Sequence, residues 1–238
     1  MITVQPESAA FNTTRWTRVC LAKVSSDDGR KALAELCEAY YEPVVTFLRC
    51  ELRDAGAARE MSHAFFEQLL GGGRIHAADP ARGRFRSYLL GAAKHFLAHH
   101  REAVSRLKRG AGIVPVPMDD DEVRGVPDGQ LSPDAAFERQ WALTVLARGL
   151  GALQQECASE GKSELFAQAK PLLTGDAAHG DQANAAAACG MNVAAFRMAM
   201  HRLKKRLRQC VKVEVAGTLE DPAMVQEEMR ALFAALGG

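Results

Sequence analysis

The sequence predicts an all-α protein. Three observations support this fold class: alanine is abundant while aromatic residues make up only 6% of the chain, runs of β-branched residues are few, and apolar residues recur at helical spacing. With 238 residues, the chain can form one large hydrophobic core or two small ones.

Proline, glycine and acidic residues divide the chain into two helical domains. Four prolines lie between Ala111 and Pro133, together with an acidic run from Asp119 to Glu122, and this composition is typical of an exposed linker. The expected division is a loose N-terminus over residues 1–12, a first domain over 13–110, the linker over 111–133, a second domain over 134–215 and an amphipathic helical tail over 216–238.

The first domain is expected to begin with a short helix that Thr13 or Thr14 caps. A polar break over residues 25–29 should separate it from a helix over 32–52. In that helix Pro43 indicates a kink or a helix boundary. The next helix, over 57–70, is followed by three glycines, which favour a helix end over a phosphate-binding loop because no G-K-[S/T] follows.

A long amphipathic helix within residues 79–110 is the main feature of the first domain. Its apolar face is predicted to consist of Phe85, Leu89, Ala92, Phe96, Ala103 and Leu107. Lys94, Arg101 and Lys108 lie on the opposite face, and residues 84–109 contain seven Lys or Arg against one acidic residue. This positive stripe suits a polyphosphate, while the alternative is an ordinary solvated helix face.

The second domain contains a helix-turn-helix pattern. A short alanine-rich helix over 182–189 meets a turn at Gly190, and a longer helix begins after Asn192, a plausible N-cap. The inward face of the longer helix is predicted to be Phe196, Met200, Leu203 and Leu207. Residues 197–212 contain seven Lys or Arg and no acidic residue, so the outward face is strongly positive.

Neither a catalytic site nor a metal or cofactor site is expected. His95 and His99 have the i, i+4 spacing of metal ligands, but no third ligand is close in the sequence. No nucleophile, base and acid have a recognisable context, so we do not expect an enzyme. The six cysteines lack paired spacing, and no apolar segment approaches the about 20 residues of a membrane span. These features favour a soluble cytoplasmic protein.

Five segments carry a resemblance to a known family. They are TRWTRV from Thr14, ALAELCEAYYEPVVTFLR from Ala32, FFEQLL from Phe65, DPARGRFRSYLLGAAKHFLAHH from Asp79 and GMNVAAFRMAMHRLKKRLR from Gly190. In this order, and over nearly the whole chain, they resemble the sigma-2 and sigma-4 domains of extracytoplasmic-function (ECF) RNA polymerase sigma factors.

The resemblance implies a protein that binds core RNA polymerase and directs it to promoter DNA at the initiation of transcription. It implies polymerase contacts through Glu60, Phe65, Phe66 and Glu67. It implies contacts to the minus-10 region through Arg84, Arg86, Tyr88, Lys94, Arg101 and Lys108. Reading of the minus-35 element is implied for Arg197, Met198, His201, Arg202 and Lys205.

The segment expected to dock on polymerase departs from the family pattern. Where the family shows a sequence close to E-D-L-T-Q-D-F-F, two of the three acidic positions hold Arg59 and Ala64. Ser62 is therefore a candidate phosphorylation site, because a phosphate would restore about −1.5 to −2 charge there. The alternative is an ordinary exposed helix serine. Two further partners stay open from the sequence, a Ser/Thr kinase and an anti-sigma factor.

Two other functions remain open from the sequence. One is a helix-turn-helix regulator that binds DNA without core polymerase, and the other is a helical signalling adaptor whose basic faces bind acidic proteins. The amphipathic segment 222–236 adds a further alternative. It is expected either to pack on the second domain or to bind a partner or cover a basic surface.

Overall fold

The structure, a computed structural model, describes residues 15–24, 26–71, 74–79, 83–110, 131–175, 181–219 and 221–237. Within these residues all regular secondary structure is helical, which confirms the all-α prediction. The helices are α1 (Arg15–Ala22), α2 (Asp27–Leu52), α3 (Ala55–Gly71), α4 (Phe85–Gly110), α5 (Pro133–Ser159), α6 (Ser163–Thr174), α7 (Asp181–Ala188), α8 (Val193–Ala216) and α9 (Val225–Gly237). Short 3₁₀ turns cover Arg74–Ala77 and Pro222–Met224.

The chain forms two compact units. Unit 1 consists of Met1–Ala142 and Gly217–Gly238, and unit 2 consists of Leu143–Ala216. This division differs from the predicted domains, because the first part of α5 and the C-terminal segment both belong to unit 1. The predicted linker residues 111–130 and the predicted caps Thr13 and Thr14 lie outside the described residues. No helix of the described segments combines the length and the hydropathy that crossing a membrane requires.

Helix α2 is longer than predicted, since it begins at Asp27 within the expected polar break. The side chain of Ser26 accepts a hydrogen bond from the backbone N–H of Gly29 at 3.0 Å, and Asp27 and Asp28 lie in the first turn. This is the arrangement that satisfies the unpaired N–H groups and complements the dipole at a helix start. Pro43 lies inside the continuous helix, so it is not a helix boundary.

The core of unit 1 is formed around aromatic contacts between α2, α3 and α4. Tyr40 of α2 meets Phe85 of α4 edge to face, with ring centroids 5.2 Å apart. Phe65 of α3 packs in the same manner against Phe96 of α4, at 5.6 Å. Edge-to-face pairs are favourable because the positive ring edge meets the negative face.

The buried face of α4 follows a different line from the predicted one. The buried residues of this face are Phe85, Leu89, Ala93 and Leu97, four residues apart, and Phe96 is half-buried. Ala103, which was expected to be buried, is exposed. Helical periodicity predicts that one face of α4 is apolar. A shift of one residue in the sequence pattern rotates the predicted face by about 100° around the helix axis, so the pattern alone does not fix which residues are buried.

Unit 2 has its own apolar core, to which α5, α6, α7 and α8 contribute. Its buried residues are Leu153, Cys157, Phe166, Ala169, Ala185, Ala186, Phe196, Met200, Leu203 and Cys210. Three of the four residues predicted for the inward face of α8 are therefore buried, and Leu207 packs against them while partly exposed. Where α5 meets α8, Gly149 lies so close that an added Cβ would be 2.6 Å from Cγ2 and 3.2 Å from the backbone N of Val211.

We predict that Gly149→Ala destabilises unit 2 by about 1–3 kcal/mol, the usual cost of overpacking a core. Gly151→Ala is the matched control, because an added Cβ there meets nothing within 4 Å. The control should stabilise the helix by up to about 1 kcal/mol through helix propensity. Urea denaturation of both full-length variants measures the two changes. Equal effects of the two substitutions would contradict the close approach of α5 and α8.

Candidate nucleic-acid interface

The turn between α7 and α8 has the backbone geometry of a Schellman motif. The N–H of Met191 donates to the carbonyl of Ala186 at 2.9 Å, and the N–H of Gly190 donates to the carbonyl of Ala187 at 2.9 Å. Gly190 has a φ of +64°, in the left-handed region that glycine adopts without steric cost. The glycine thus ends α7 and directs the chain into α8.

Helix α8 starts as the sequence predicts. The side chain of Asn192 accepts a hydrogen bond from the N–H of Ala195 at 2.8 Å, which is the N-cap interaction. Two helices joined by a short glycine-containing turn, with small residues of α7 such as Ala185 and Ala186 buried, form a helix-turn-helix arrangement.

The five residues expected to read DNA all lie on the exposed side of α8. They are Arg197, Met198, His201, Arg202 and Lys205. Met198 is 58% exposed, which is unusual for a large apolar side chain and leaves it able to contact a partner. Arg197 donates from Nε to Oε1 of Gln182 on α7, at 3.3 Å. The other cations of this face, Arg202 and Lys205, have no acidic partner among the described residues of unit 2.

Arg206, the next cation of α8, is held by the protein itself. It donates from Nε and Nη2 to the two carboxylate oxygens of Glu156 on α5, both at 2.6 Å. This bidentate hydrogen bonding lowers the pKa of Glu156 and raises that of Arg206. Burial, with Glu156 nearby, raises the pKa of the Cys210 thiol. The Arg206 pair therefore joins α8 to α5, while the Arg206 side chain itself stays 57% exposed.

The start of α4 differs from the prediction, because Arg86 is not on an exposed face. Only 5% of the residue is accessible. Its Nε donates to Oε2 of Glu138 at 2.7 Å, and its guanidinium lies 4.1 Å from the ring centroid of Trp141. Arg86 also forms an ion pair with Glu228 of α9. Burial lowers the pKa of Arg86, and the carboxylate of Glu138 opposes this shift.

The other described cations of the predicted stripe are also paired within unit 1. Arg84 contacts Glu227 at 2.7 Å and Glu228 at 2.8 Å. Lys94 donates to Asp134 at 2.6 Å, and Arg101 donates to Glu51 at 3.0 Å. Lys94 and Arg101 remain about half-exposed, so these two pairs are weak surface contacts. The side chain of Lys108 lies outside the described residues.

Tyr88 is the aromatic candidate of α4 for contact with a base. It is half-buried, and its ring stacks with that of Phe85 at 6.0 Å between centroids. Phe85 is 2% exposed and belongs to the core. Tyr88 is therefore partly accessible, and its ring packs on the buried ring of Phe85.

The surface of α3 is more polar than the sequence suggests. Phe65 and Phe66, expected to contact polymerase, are 3% and 8% exposed and pack edge to face at 5.3 Å. Both are core residues, so neither presents its ring to a partner in this structure. Glu60 and Glu67 are exposed, as a docking role requires.

Ser62 is buried, which corrects the alternative of an exposed helix serine. Its accessibility is 0%, and its hydroxyl donates to the carbonyl of Ala58 at 2.7 Å. It is therefore not an ordinary exposed serine. A phosphate at this position would place a charge of about −1.5 to −2 inside the core, so the folded unit does not offer the hydroxyl to a kinase.

Sequence reasoning missed three members of the cluster around Arg86, namely Glu138, Trp141 and Glu228. One signal was present in the sequence for the last. Glu228 follows Val225 by three residues and precedes Met229 and Leu232, so it lies on the apolar side of an amphipathic helix. A carboxylate at such a position requires a cation as its partner.

A scan against protein-family models, a search of curated proteins and a search of solved structures each gave no match to this chain.

We predict that Glu156→Gln lowers the free energy of unfolding of unit 2 at pH 7. Because the pKa of Glu156 lies below its usual 4.5 in the folded state, the stabilisation is complete above that pH. It is lost as the pH falls through the lowered folded value. With Glu156 37% exposed, we expect a loss below about 1 kcal/mol.

Urea denaturation at pH 7 and near pH 3 measures this dependence. Glu160→Gln is the control, since its carboxylate contacts only the exposed Lys162, at 2.6 Å, among the ion pairs of the described residues. If Glu156→Gln lowers the free energy of unfolding by the same amount at pH 7 and near pH 3, the stabilising role of the Arg206–Glu156 pair is contradicted.

Proposed function

We propose that this chain is a promoter-recognition subunit of RNA polymerase of the ECF sigma-factor type. The observation that carries the proposal is the helix-turn-helix of unit 2, whose second helix exposes a row of basic residues on the side opposite its apolar face. Such a helix fits the major groove of B-DNA, which is about 12 Å wide.

The exposed face of α8 has the side chains that recognition of DNA needs. Arg197 and Arg202 have planar guanidinium groups that match the paired acceptors of a guanine edge. Met198 can contact a thymine methyl group, and Lys205 can neutralise a phosphate. Since Arg206 is held by Glu156, the reading surface would consist of the residues nearer the N-terminus of α8.

Unit 1 supports a second contact with promoter DNA. The exposed cations Lys94 and Arg101 are held only by weak surface ion pairs, which a phosphate can replace. Tyr88, stacked on Phe85, is suited to support an unstacked base. Two separate DNA contacts in one chain are what recognition of two promoter elements requires.

Binding of core polymerase is supported by the five sequence segments and by the polar surface of α3. With Phe65 and Phe66 in the core, the proposed docking surface depends on Glu60 and Glu67. Phosphorylation of the buried Ser62 is not part of this proposal.

The ion pairs of α4 favour a second candidate function. Arg84 and Arg86 are neutralised within unit 1, while the cations at the start of α8 are not. A helix-turn-helix regulator that binds DNA through unit 2, without core polymerase, fits this difference. Its distinguishing property is DNA binding without association with polymerase.

We predict that Arg202→Ala weakens DNA binding by the full-length chain about tenfold, because a bidentate base contact contributes about 1–3 kcal/mol. Lys170→Ala, an exposed cation on α6 of the same unit, should change the affinity by less than about threefold. Fluorescence anisotropy with selected genomic promoter fragments measures both. Equal losses for the two variants would exclude α8 as the reading helix.

We predict that the full-length chain co-purifies with core RNA polymerase and supports run-off transcription from a pool of genomic fragments. Glu60→Gln with Glu67→Gln should reduce both, because the proposed docking surface loses its exposed charge. Glu38→Gln with Glu42→Gln removes the same charge from exposed positions of α2 and is the control. DNA binding without polymerase association would instead establish the regulator.

A further inference from the structure

The C-terminal helix α9 places two carboxylates on Arg84, which immediately precedes α4, and on Arg86 in the first turn of α4. Glu228 is 1% exposed and forms ion pairs with both Arg84 and Arg86. Glu227 is half-exposed and contacts Arg84 at 2.7 Å. All these residues belong to unit 1. The acidic start of α9 therefore covers the basic start of α4.

Helix α9 is docked by its apolar face as well as by its charges. Val225, Met229 and Leu232 are 5%, 4% and 0% exposed, and Glu228 lies among them. On the opposite side α9 is exposed, with Phe233 49% accessible. Helix α9 is thus a surface helix of unit 1 with one face buried. In the sequence, Gly217–Leu219 and the 3₁₀ turn Pro222–Met224 lie between α8 and α9.

The charges in this cluster do not balance. The guanidinium groups of Arg84 and Arg86 face three carboxylates, those of Glu138, Glu227 and Glu228. If α9 leaves, two carboxylates leave with it, and of the ion pairs that the described residues form in this cluster only that of Arg86 with Glu138 remains. The surface then changes from an excess of negative charge to an excess of positive charge, which attracts a polyanion.

We propose that α9 is an autoinhibitory helix, whose Glu227 and Glu228 carboxylates occupy the places that DNA phosphates take on Arg84 and Arg86 when α9 is released. This inference rests on the proposed function in promoter binding and adds its regulation. DNA then competes with α9 for the start of α4, while α8 reads DNA independently of that competition.

The energetics allow the competition to be reversible. A buried ion pair contributes little net stability, because desolvation of both charges offsets their attraction. Arginine forms bidentate hydrogen bonds with phosphate as well as with carboxylate, so a phosphate can take the place of a carboxylate. With 13 residues, α9 is too short to be a stable helix in water once detached. Release therefore unfolds it, and this cost keeps the unliganded protein in the covered state.

The test compares the full-length chain with the variant Glu227→Gln and Glu228→Gln, using a fluorescent 20-nucleotide DNA of arbitrary sequence. Two added phosphate contacts should raise the affinity of the double variant for this DNA about tenfold. They should also steepen, by about 1–2, the slope of the logarithm of the DNA association constant against the logarithm of the salt concentration. Adding Arg84→Ala should reverse part of the gain. The control Glu38→Gln with Glu42→Gln carries the same change in net charge and should show a smaller gain. Equal gains in the two double variants would overturn the proposal.

A measurement on the unmodified chain covers the case in which the double variant fails to fold. Amide hydrogen exchange is followed with and without the same DNA. We expect the amides of α9 to exchange faster when DNA is bound, while those of α2 do not change. Unchanged or stronger protection of α9 in the DNA complex would overturn the proposal. The proposed function is tested separately. If it is wrong, the chain does not co-purify with core polymerase.

Discussion

Unit 1 depends on the burial of one guanidinium, that of Arg86. Arginine keeps its charge in proteins, so a site that is only 5% accessible must supply compensating groups. Glu138 and Trp141 of α5 and Glu228 of α9 supply them. This single side chain of α4 therefore contacts both the first part of α5 and the C-terminal helix, although 52 and 142 residues of sequence separate Arg86 from Glu138 and Glu228.

The two basic helices of the chain are thus in different electrostatic states. In α8 the cations near the N-terminus are exposed, and Arg206, further along the helix, pairs with Glu156 of α5. In α4 the first cations are covered by carboxylates of α9. Two sequence segments with a similar number of basic residues therefore differ at their starts: the first cations of α8 are open to a polyanion, whereas Arg84 and Arg86 at the start of α4 are neutralised. Net charge along the sequence does not distinguish the two, because the neutralising acids come from other helices.

Much of the fold was predictable, because helices are local structures. Gly190 sets the end of α7 and Asn192 sets the start of α8 through hydrogen bonds within a few residues. The outward positions of α8 followed from its apolar spacing. Predictions failed where the decision was not local. Ser62 was expected to be an exposed helix serine, but the packing of α3 buries it. The proposed contacts with polymerase and promoter DNA stay predictions.

The sequence by itself determined the all-α class, the helix-turn-helix with its basic face and the amphipathic character of α9, since periodicity and capping act over at most a few turns. Only the tertiary structure decided which cations of α4 are accessible. It also decided which face of α4 is buried, and which charge meets the carboxylate of Glu228. These depend on long-range pairing, in which a buried charge selects its partner by desolvation and distance rather than by position along the chain.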